Sequence, residues 1–218
     1  MIEVTYIDHM GSDLSVVNAA RVSFGKKSDW MPRVHNGEQL VLTPKDAKLI
    51  SYLARHHHKS PFNHAFATFH VKAPIFVARQ LQKHEYMPWN EISRRYVDSD
   101  PEFYQPETWR GKSSDKKQGS EGVVNVGDWG DANWACLLAY NDLLDKGVAP
   151  EQARMVLPLS LMTEWYWSGS LHAFVKMCGL RLKPDAQYET RLVAEQIEDK
   201  MTELFPESWT ALRAYDDR

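Results

Sequence analysis

Cysteine is scarce in this chain: only Cys136 and Cys178 occur among 218 residues. At most one disulfide can form, and two cysteines in a chain of this size fit reduced cytosolic thiols better than a secreted, cross-linked scaffold. Both lie in apolar stretches, NWACLLAY and VKMCGL, with no activating base or cation immediately adjacent to either. Buried structural thiols are expected, and a covalent cysteine mechanism has no support. No apolar run reaches the roughly 18 residues that span a bilayer. The opening MIEVTYIDHM has no basic segment followed by an apolar one, so it does not read as a secretory signal. The expected compartment is cytoplasmic. Glycine-rich phosphate loops of the G-x-G-x-x-G and G-x-x-x-x-G-K-[ST] kinds are missing, as is a G-x-S-x-G elbow. A large excess of charge is missing too. The net charge of −3 gives no bulk reason to bind nucleic acid or a membrane surface. An anionic ligand must therefore meet a local cluster of cations.

What is present is an ordinary globular composition, 43% hydrophobic and 25% charged, with eight tryptophans and nine tyrosines. Aromatics at that density fill cores, line interfaces or stack on planar ligands. Residues 1–7 alternate and predict a strand. Ser12 or Asp13 caps a short helix through Ala20, and residues 25–39 read as a polar loop. Thr43–Pro44, a capping hydroxyl followed by proline, predicts a helix start. That helix runs into His56–His57–His58 and stops before Pro61. Residues 65–72 alternate cleanly as a second strand. Pro74 opens a helix on which Gln80 and His84 are expected to share a face. Residues 98–131 have no periodicity and suggest a surface loop or lid. The remainder reads as helical: Asp131–Lys146, Pro150–Val156, Ser168–Met177, Pro184–Leu204, and a last helix after Pro206. The chain shows no repeat and no clear linker. A single α+β domain over residues 1–218 is the expected organisation.

The densest chemistry lies in RQLQKHEYMPWNEISRRY, residues 79–96, directly after an apolar segment. Ionisable groups crowded beside a buried element are where pKa values shift and anion sites are built. Six histidines, His56, His57, His58, His64, His70 and His84, fit no zinc spacing. Three consecutive helical histidines point in three directions, so no metal site is expected. Solvent-facing or capping roles suit His56 and His57. Arg79, Arg94, Arg95, Arg154 and Arg181 stand next to apolar runs, and guanidinium forks suit phosphates and planar carbonyls.

These residues resemble the flavin-dependent thymidylate synthases. The family signature is Arg-His-Arg-x-x-Ser-x-Asn-x-x-Ser-x-Arg-Tyr. Here the register is Lys83-His84-Glu85, then Pro88, Asn90, Ser93, Arg95 and Tyr96. Flanking blocks share the likeness in order: DLSVVNAARVSF, HHKSPFNHAFATFHVKAPIFVARQ, ARMVLPLSL and LRLKPDAQYE. The resemblance implies an α+β fold with a mostly antiparallel central sheet flanked by helices, assembled as a homotetramer. It implies reductive methylation of deoxyuridine monophosphate (dUMP) to dTMP, with FAD, NADPH and methylenetetrahydrofolate. Gln80, Glu91, Ser93, Arg95, Arg154 and Arg181 match nucleotide-binding positions. Arg95 and Arg154 would hold phosphate, and Arg181 would stabilise charge building on the pyrimidine. His58, with Arg181 and Ser93, falls among the positions that serve catalysis. Ser60, Asn63, Lys83, His84, Glu85, Ser170, His172 and Lys176 fall at cofactor positions. The signature's two arginines are Lys83 and Glu85 here, and its first serine is Pro88. Ser170, His172 and Lys176 stand where Asn, Arg and Asn are usual. A related substrate such as deoxycytidine monophosphate, hydroxymethyl transfer, or a binding protein without catalysis are the alternative readings.

Overall fold

The computed structural model describes residues 1–32, 40–96, 100–114, 119–127 and 130–215. The expected loop over 25–39 and the tract around 112–122 lie partly outside the described residues. The fold is α+β. Its four-stranded antiparallel sheet has the order β1-β4-β8-β5, formed by β1 (Glu3–Met10), β4 (Phe66–Pro74), β8 (Met162–Ser170) and β5 (Trp89–Glu91). Two-stranded ribbons pair β2 (Met31–Pro32) with β3 (Leu40–Val41), and β6 (Arg110–Lys112) with β7 (Ser120–Val123).

The largest departure from expectation is β8. The remainder of the chain was expected to be helical, with one helix starting at Ser168; MTEWYWSGS is instead a nine-residue strand between β4 and β5. The cause is period two: Trp165 and Trp167 are buried, while Tyr166 between them is half exposed. Register places Phe69 opposite Trp167 and Val71 opposite Trp165. Large rings thus meet on one face, the pairing that stabilises sheets. Phe174 packs edge-on against both Phe69 and Trp167, at 5.2 and 5.5 Å. Trp89 of β5 stacks on Trp165 at 4.3 Å. Gly169 sits in close approach, since a Cβ there would lie 2.8 Å from the Met87 Cε and 3.2 Å from Phe174, and Met87 would have to shift to make room. The turn before β5 can therefore lie tight over the sheet.

Helices α1 (Asp13–Arg21), α2 (Pro44–Arg55), α3 (Ile75–Leu81), α4 (Gly130–Asp145), α5 (Pro150–Ala153), α6 (Leu171–Arg181), α7 (Tyr188–Leu204) and α8 (Pro206–Tyr215) flank the sheet. The core runs from Val16, Ile50 and Phe62 through the inward residues of β4 and β8 to Phe174, Val193, Ile197, Met201 and Trp209. Two carboxylates tie the helices together. Asp13, almost fully buried, accepts the backbone N–H groups of Glu207 and Ser208 at 3.0 and 2.9 Å, capping α8 from a distant part of the chain. Asp46 accepts from Arg21 Nε at 3.0 Å, Ser28 Oγ at 2.9 Å and Thr43 Oγ1 at 2.8 Å. Burial alone would raise its pKa, but those donors outweigh it and hold the carboxyl below its usual range.

Three smaller corrections follow. The first strand extends to Met10, and β4 reaches Pro74. Helix α3 ends at Leu81, so His84 is not on it; Lys83 and His84 lie in the turn beyond. The stretch expected as a loop over 98–131 contains β6 and β7 and is anchored to the sheet. Tyr104 N–H donates to Ser160 O at 2.8 Å, and Met162 N–H donates to Glu102 O at 2.7 Å. Its aperiodic composition hid these bonds because they are made with residues about 60 positions away. Of the thiols, Cys178 is buried and directs its Sγ to the Ala194 carbonyl, while Cys136 is only half-buried.

Candidate active site

The histidine triplet begins the site by ending α2. His57 adopts φ 54°, its N–H donates to Ala54 O at 3.1 Å, and His58 N–H donates to Leu53 O at 2.9 Å. This is the Schellman pattern, here without glycine. The reversal turns His58, Lys59 and Ser60 outward into a short 3₁₀ turn, Ser60–His64. Helix α6 supplies a second wall. Its N-cap Ser170 accepts from Ala173 N–H at 3.2 Å and donates to Asn63 Oδ1 at 2.8 Å. His172, Lys176 and Leu180 follow at four-residue spacing and so share one face. The third wall is the 82–88 turn, where Tyr86 also takes a left-handed φ of 59° and is fully exposed.

These walls enclose a cavity of about 750 Å³ lined by Lys59, Asn63, Phe66, Lys83, His84, Glu85, Tyr86, Ser170, His172, Ala173, Lys176 and Leu180. Seven of the eight residues expected at cofactor positions meet there. Ser60, the eighth, lines an adjoining cavity of about 890 Å³ with His57, His58, Arg21, Lys26 and Lys45; Lys59 lines both. His57, His58 and His172 border a smaller hollow between the two. The charges in the 750 Å³ cavity are three lysines against one glutamate. Both of its histidines are neutral at pH 7. Burial, then the charge of Arg181, pulls His84 down to about 4. Burial, then Lys59 and Lys176, pulls His172 to about 4.

Arg181 joins this cavity to Gln80, one of the positions that the resemblance assigns to a nucleotide. Its Nε–H donates to His84 Nε2 at 3.1 Å, and its terminal N–H donates to the Gln80 carbonyl at 2.8 Å. A donor aimed at Nε2 fixes the proton of neutral His84 on Nδ1. Burial lowers the Arg181 pKa, a cost its two acceptors offset. Glu91 on β5 is held by Thr163 Oγ1 at 2.6 Å and Trp89 Nε1 at 3.2 Å. Just beyond, Ser93 Oγ accepts from both the backbone N–H and the Nε–H of Arg95 at 3.3 Å, and Arg95 lies over the Tyr96 ring. Arg154 stands apart. It is exposed, bonds to Glu151 O at 3.2 Å, and lines none of these cavities. Among the described residues no cluster of three or more metal-ligating side chains occurs, and no helix is long and apolar enough to cross a membrane.

Some site residues carry no signal in the sequence. Lys59 lies between positions that the resemblance singles out, and only its place between two cavities marks it. Gln187, Glu189, Tyr104 and Arg110 form a partly buried polar network behind Gln80 that no local spacing reveals. A further cavity, about 460 Å³ and mostly apolar, opens beside that network and is lined by Phe76, Trp109 and Cys136 among others.

The two depressed histidines set a pH dependence for the free protein. Their folded pKa values lie below the ordinary 6.5. Between the two values the unfolded chain binds more protons, so stability is full above about pH 6.5 and is lost as pH falls toward 4. Thermal melts across that window should show the decline, and a His84→Gln/His172→Gln double variant should flatten it. An equally steep decline in the variant would remove these histidines as the cause.

An antiparallel α+β sheet carries a ligand-sized, lysine-rich trough, joined through Arg181 to the segment that the resemblance assigns to a nucleotide. Comparison with known proteins makes the assignment specific. The family model described as Thymidylate synthase complementing protein matches residues 5–207. The flavin-dependent thymidylate synthase of Thermus thermophilus is 43% identical over 221 residues, covering 97% of this chain and 76% of that protein. That of Thermosipho africanus is 38% identical, covering 94% and 86%. Among solved structures, the UMP/dUMP methylase PolB from Streptomyces cacaoi, bound with 5-Br dUMP, superimposes with a TM-score of 0.80 at 33% identity. The match covers 99% of this chain and 96% of that one. The chain belongs to the flavin-dependent thymidylate synthase family and is an enzyme of the methyltransferase class.

Proposed function

We propose that residues 1–218, as one domain, convert dUMP to dTMP with methylenetetrahydrofolate as one-carbon donor, FAD as cofactor and NADPH as reductant, in a cytoplasmic homotetramer. The observation that carries this reading is the Arg181 bridge, one guanidinium bonded to both Gln80 and His84, the nucleotide side and the cofactor side. Lys59, Lys83 and Lys176 suit an anionic cofactor in the 750 Å³ cavity, with Phe66 and Leu180 supplying apolar wall. The residues present therefore fit a flavin dinucleotide, and Lys83, Ser170, Asn63, His172 and Lys176 would hold it. When bound, it supplies a hydride acceptor and donor between the nicotinamide and the one-carbon unit. Gln80, Glu91, Ser93 and Arg95 bind and orient the nucleotide. Arg154, exposed on its own segment, is free to reach a nucleotide held by another subunit. Arg181 stabilises negative charge on the pyrimidine carbonyl as the ring carbon is alkylated, and Ser93 and His58 complete the catalytic set.

A second reading, the same chemistry on the ribonucleotide UMP, is favoured by the similar methylase from Streptomyces cacaoi, whose name includes both nucleotides. Purified protein should show flavin absorbance bands that bleach anaerobically on addition of NADPH. A protein that neither copurifies with flavin nor takes it up when supplied would remove the proposed cofactor role.

A further inference from the structure

Glu189 is the anchor of a directional hydrogen-bond chain that ends at Gln80. Its side chain is buried, 4% exposed, and receives Arg110 at Oε1, the Tyr104 hydroxyl at Oε1 at 3.4 Å, and Gln187 Nε2 at Oε2 at 3.2 Å. Burial, then the Glu189 charge, pushes the Tyr104 phenol up to about 12, so it stays a donor. Arg110 is itself held, by Ser120 Oγ at 2.9 Å and by the face of Tyr188 at 4.4 Å. Gln187 Oε1 accepts from Gln80 Nε2, and Thr190 Oγ1 donates to Gln80 Oε1 at 3.3 Å.

The order of donors and acceptors in this chain is forced. An ionised carboxylate only accepts. Gln187 must therefore turn its NH₂ toward Glu189, which turns its carbonyl toward Gln80. Gln80 must then turn its own NH₂ toward Gln187 and its carbonyl toward buried Thr190. A carboxamide can flip by rotation and exchange its two faces; here the flip would set two carbonyls, or two NH₂ groups, against one another.

We propose that Glu189 and Gln187 are positioning residues that lock the Gln80 carboxamide so that it offers its remaining N–H, a donor, to an acceptor oxygen of the nucleotide. This rests on the nucleotide assignment of Gln80 given above. The segment 103–110, outside the signature blocks, is through Tyr104 and Arg110 part of the specificity apparatus.

The test is a double-mutant cycle on dUMP turnover by the flavin-loaded enzyme. Gln80→Ala should raise the KM for dUMP about tenfold, as loss of one hydrogen bond to substrate does. Gln187→Met, similar in shape but without hydrogen bonds, should raise KM several-fold with kcat held within about twofold. Added to Gln80→Ala, it should have no further effect. Glu189→Gln, which keeps the volume but frees both amides to reverse, should raise KM in the same direction and serves if Gln187→Met folds poorly. Additive losses, or an unchanged KM in both Gln187→Met and Glu189→Gln, would overturn the proposal. Wild-type enzyme that does not turn over dUMP would instead overturn the functional reading, so the two failures are distinguishable.

Discussion

Replacing Arg181 by alanine is expected to lower turnover at saturating dUMP by about 10²–10³-fold, the range seen when one donor to a developing oxyanion is removed. Affinity for dUMP should fall much less, because in the proposed role Arg181 meets charge that grows mainly in the transition state. The residue is already fixed before substrate arrives, with two donors spent on Gln80 and His84. Arg181→Lys should recover only part of the loss, since one ammonium cannot reproduce a planar fork over two acceptors. A second readout separates this role from simple packing. Arg181 contributes to the depression of His84, after burial. In Arg181→Ala the imidazole should titrate above about 4, nearer its ordinary value, by NMR. A turnover loss matched by an equal loss of dUMP affinity would reassign Arg181 to ground-state binding.

The second large effect is on stability. Asp46 is 1% exposed and collects donors from Arg21, Ser28 and Thr43. Asp46→Ala strands the Arg21 guanidinium and removes the N-terminal tie of α2 in one step. Breaking a buried pair from one side costs about 3–5 kcal/mol. Arg21 retains 14% exposure and can turn partly to water, so about 3 kcal/mol is expected. In a protein of this length that corresponds to a melting temperature lower by roughly 6–12 °C. The consequence should reach the site, because α2 ends in the cap that presents His58, Lys59 and Ser60. An unchanged melting temperature would show that water or neighbouring groups replace the carboxylate at no cost.

How much of this was legible in sequence depends on the range of the interactions. Thr43–Pro44 and the alternation of residues 65–72 are local signals, and the corresponding helix start and strand are present. Strand β8 was not read from the sequence because its apolar residues Met162, Trp165, Tyr166 and Trp167 fall on both faces of the strand. A strand buried on one face and partly on the other loses clean alternation. Tyr166, half exposed between two buried tryptophans, was the available clue. The cofactor positions came from the likeness to the family, and they converge because the spacing His172–Lys176–Leu180 is helical and Ser60–Asn63 reverses the chain beside it. His84 was expected on the same helix face as Gln80. The helix ends three residues earlier, and the link between the two is instead made by Arg181, about a hundred positions away. Gln187 and Glu189 fall within the LRLKPDAQYE block, but their link to Tyr104 and Arg110 was not legible. A buried carboxylate within an amphipathic helix looks like any surface glutamate until its partners are brought to it.

The charge pattern of the trough follows the same logic. The Lys-His-Glu sequence alone suggests a site with no net positive charge. In the folded chain Lys59 and Lys176 join Lys83 around Glu85, and the cavity is cationic with both histidines neutral. The lysines of the trough are gathered from three separate segments.

The most direct test of the central claim is the mass of the nucleotide after anaerobic incubation of flavin-loaded enzyme with NADPH, methylenetetrahydrofolate and dUMP, with parallel reactions on UMP and deoxycytidine monophosphate. Conversion of dUMP to dTMP is expected, dependent on flavin and retained in a Cys136→Ser/Cys178→Ser variant. A folded, flavin-loaded enzyme that leaves dUMP unchanged, or modifies only the cytosine nucleotide, would contradict it.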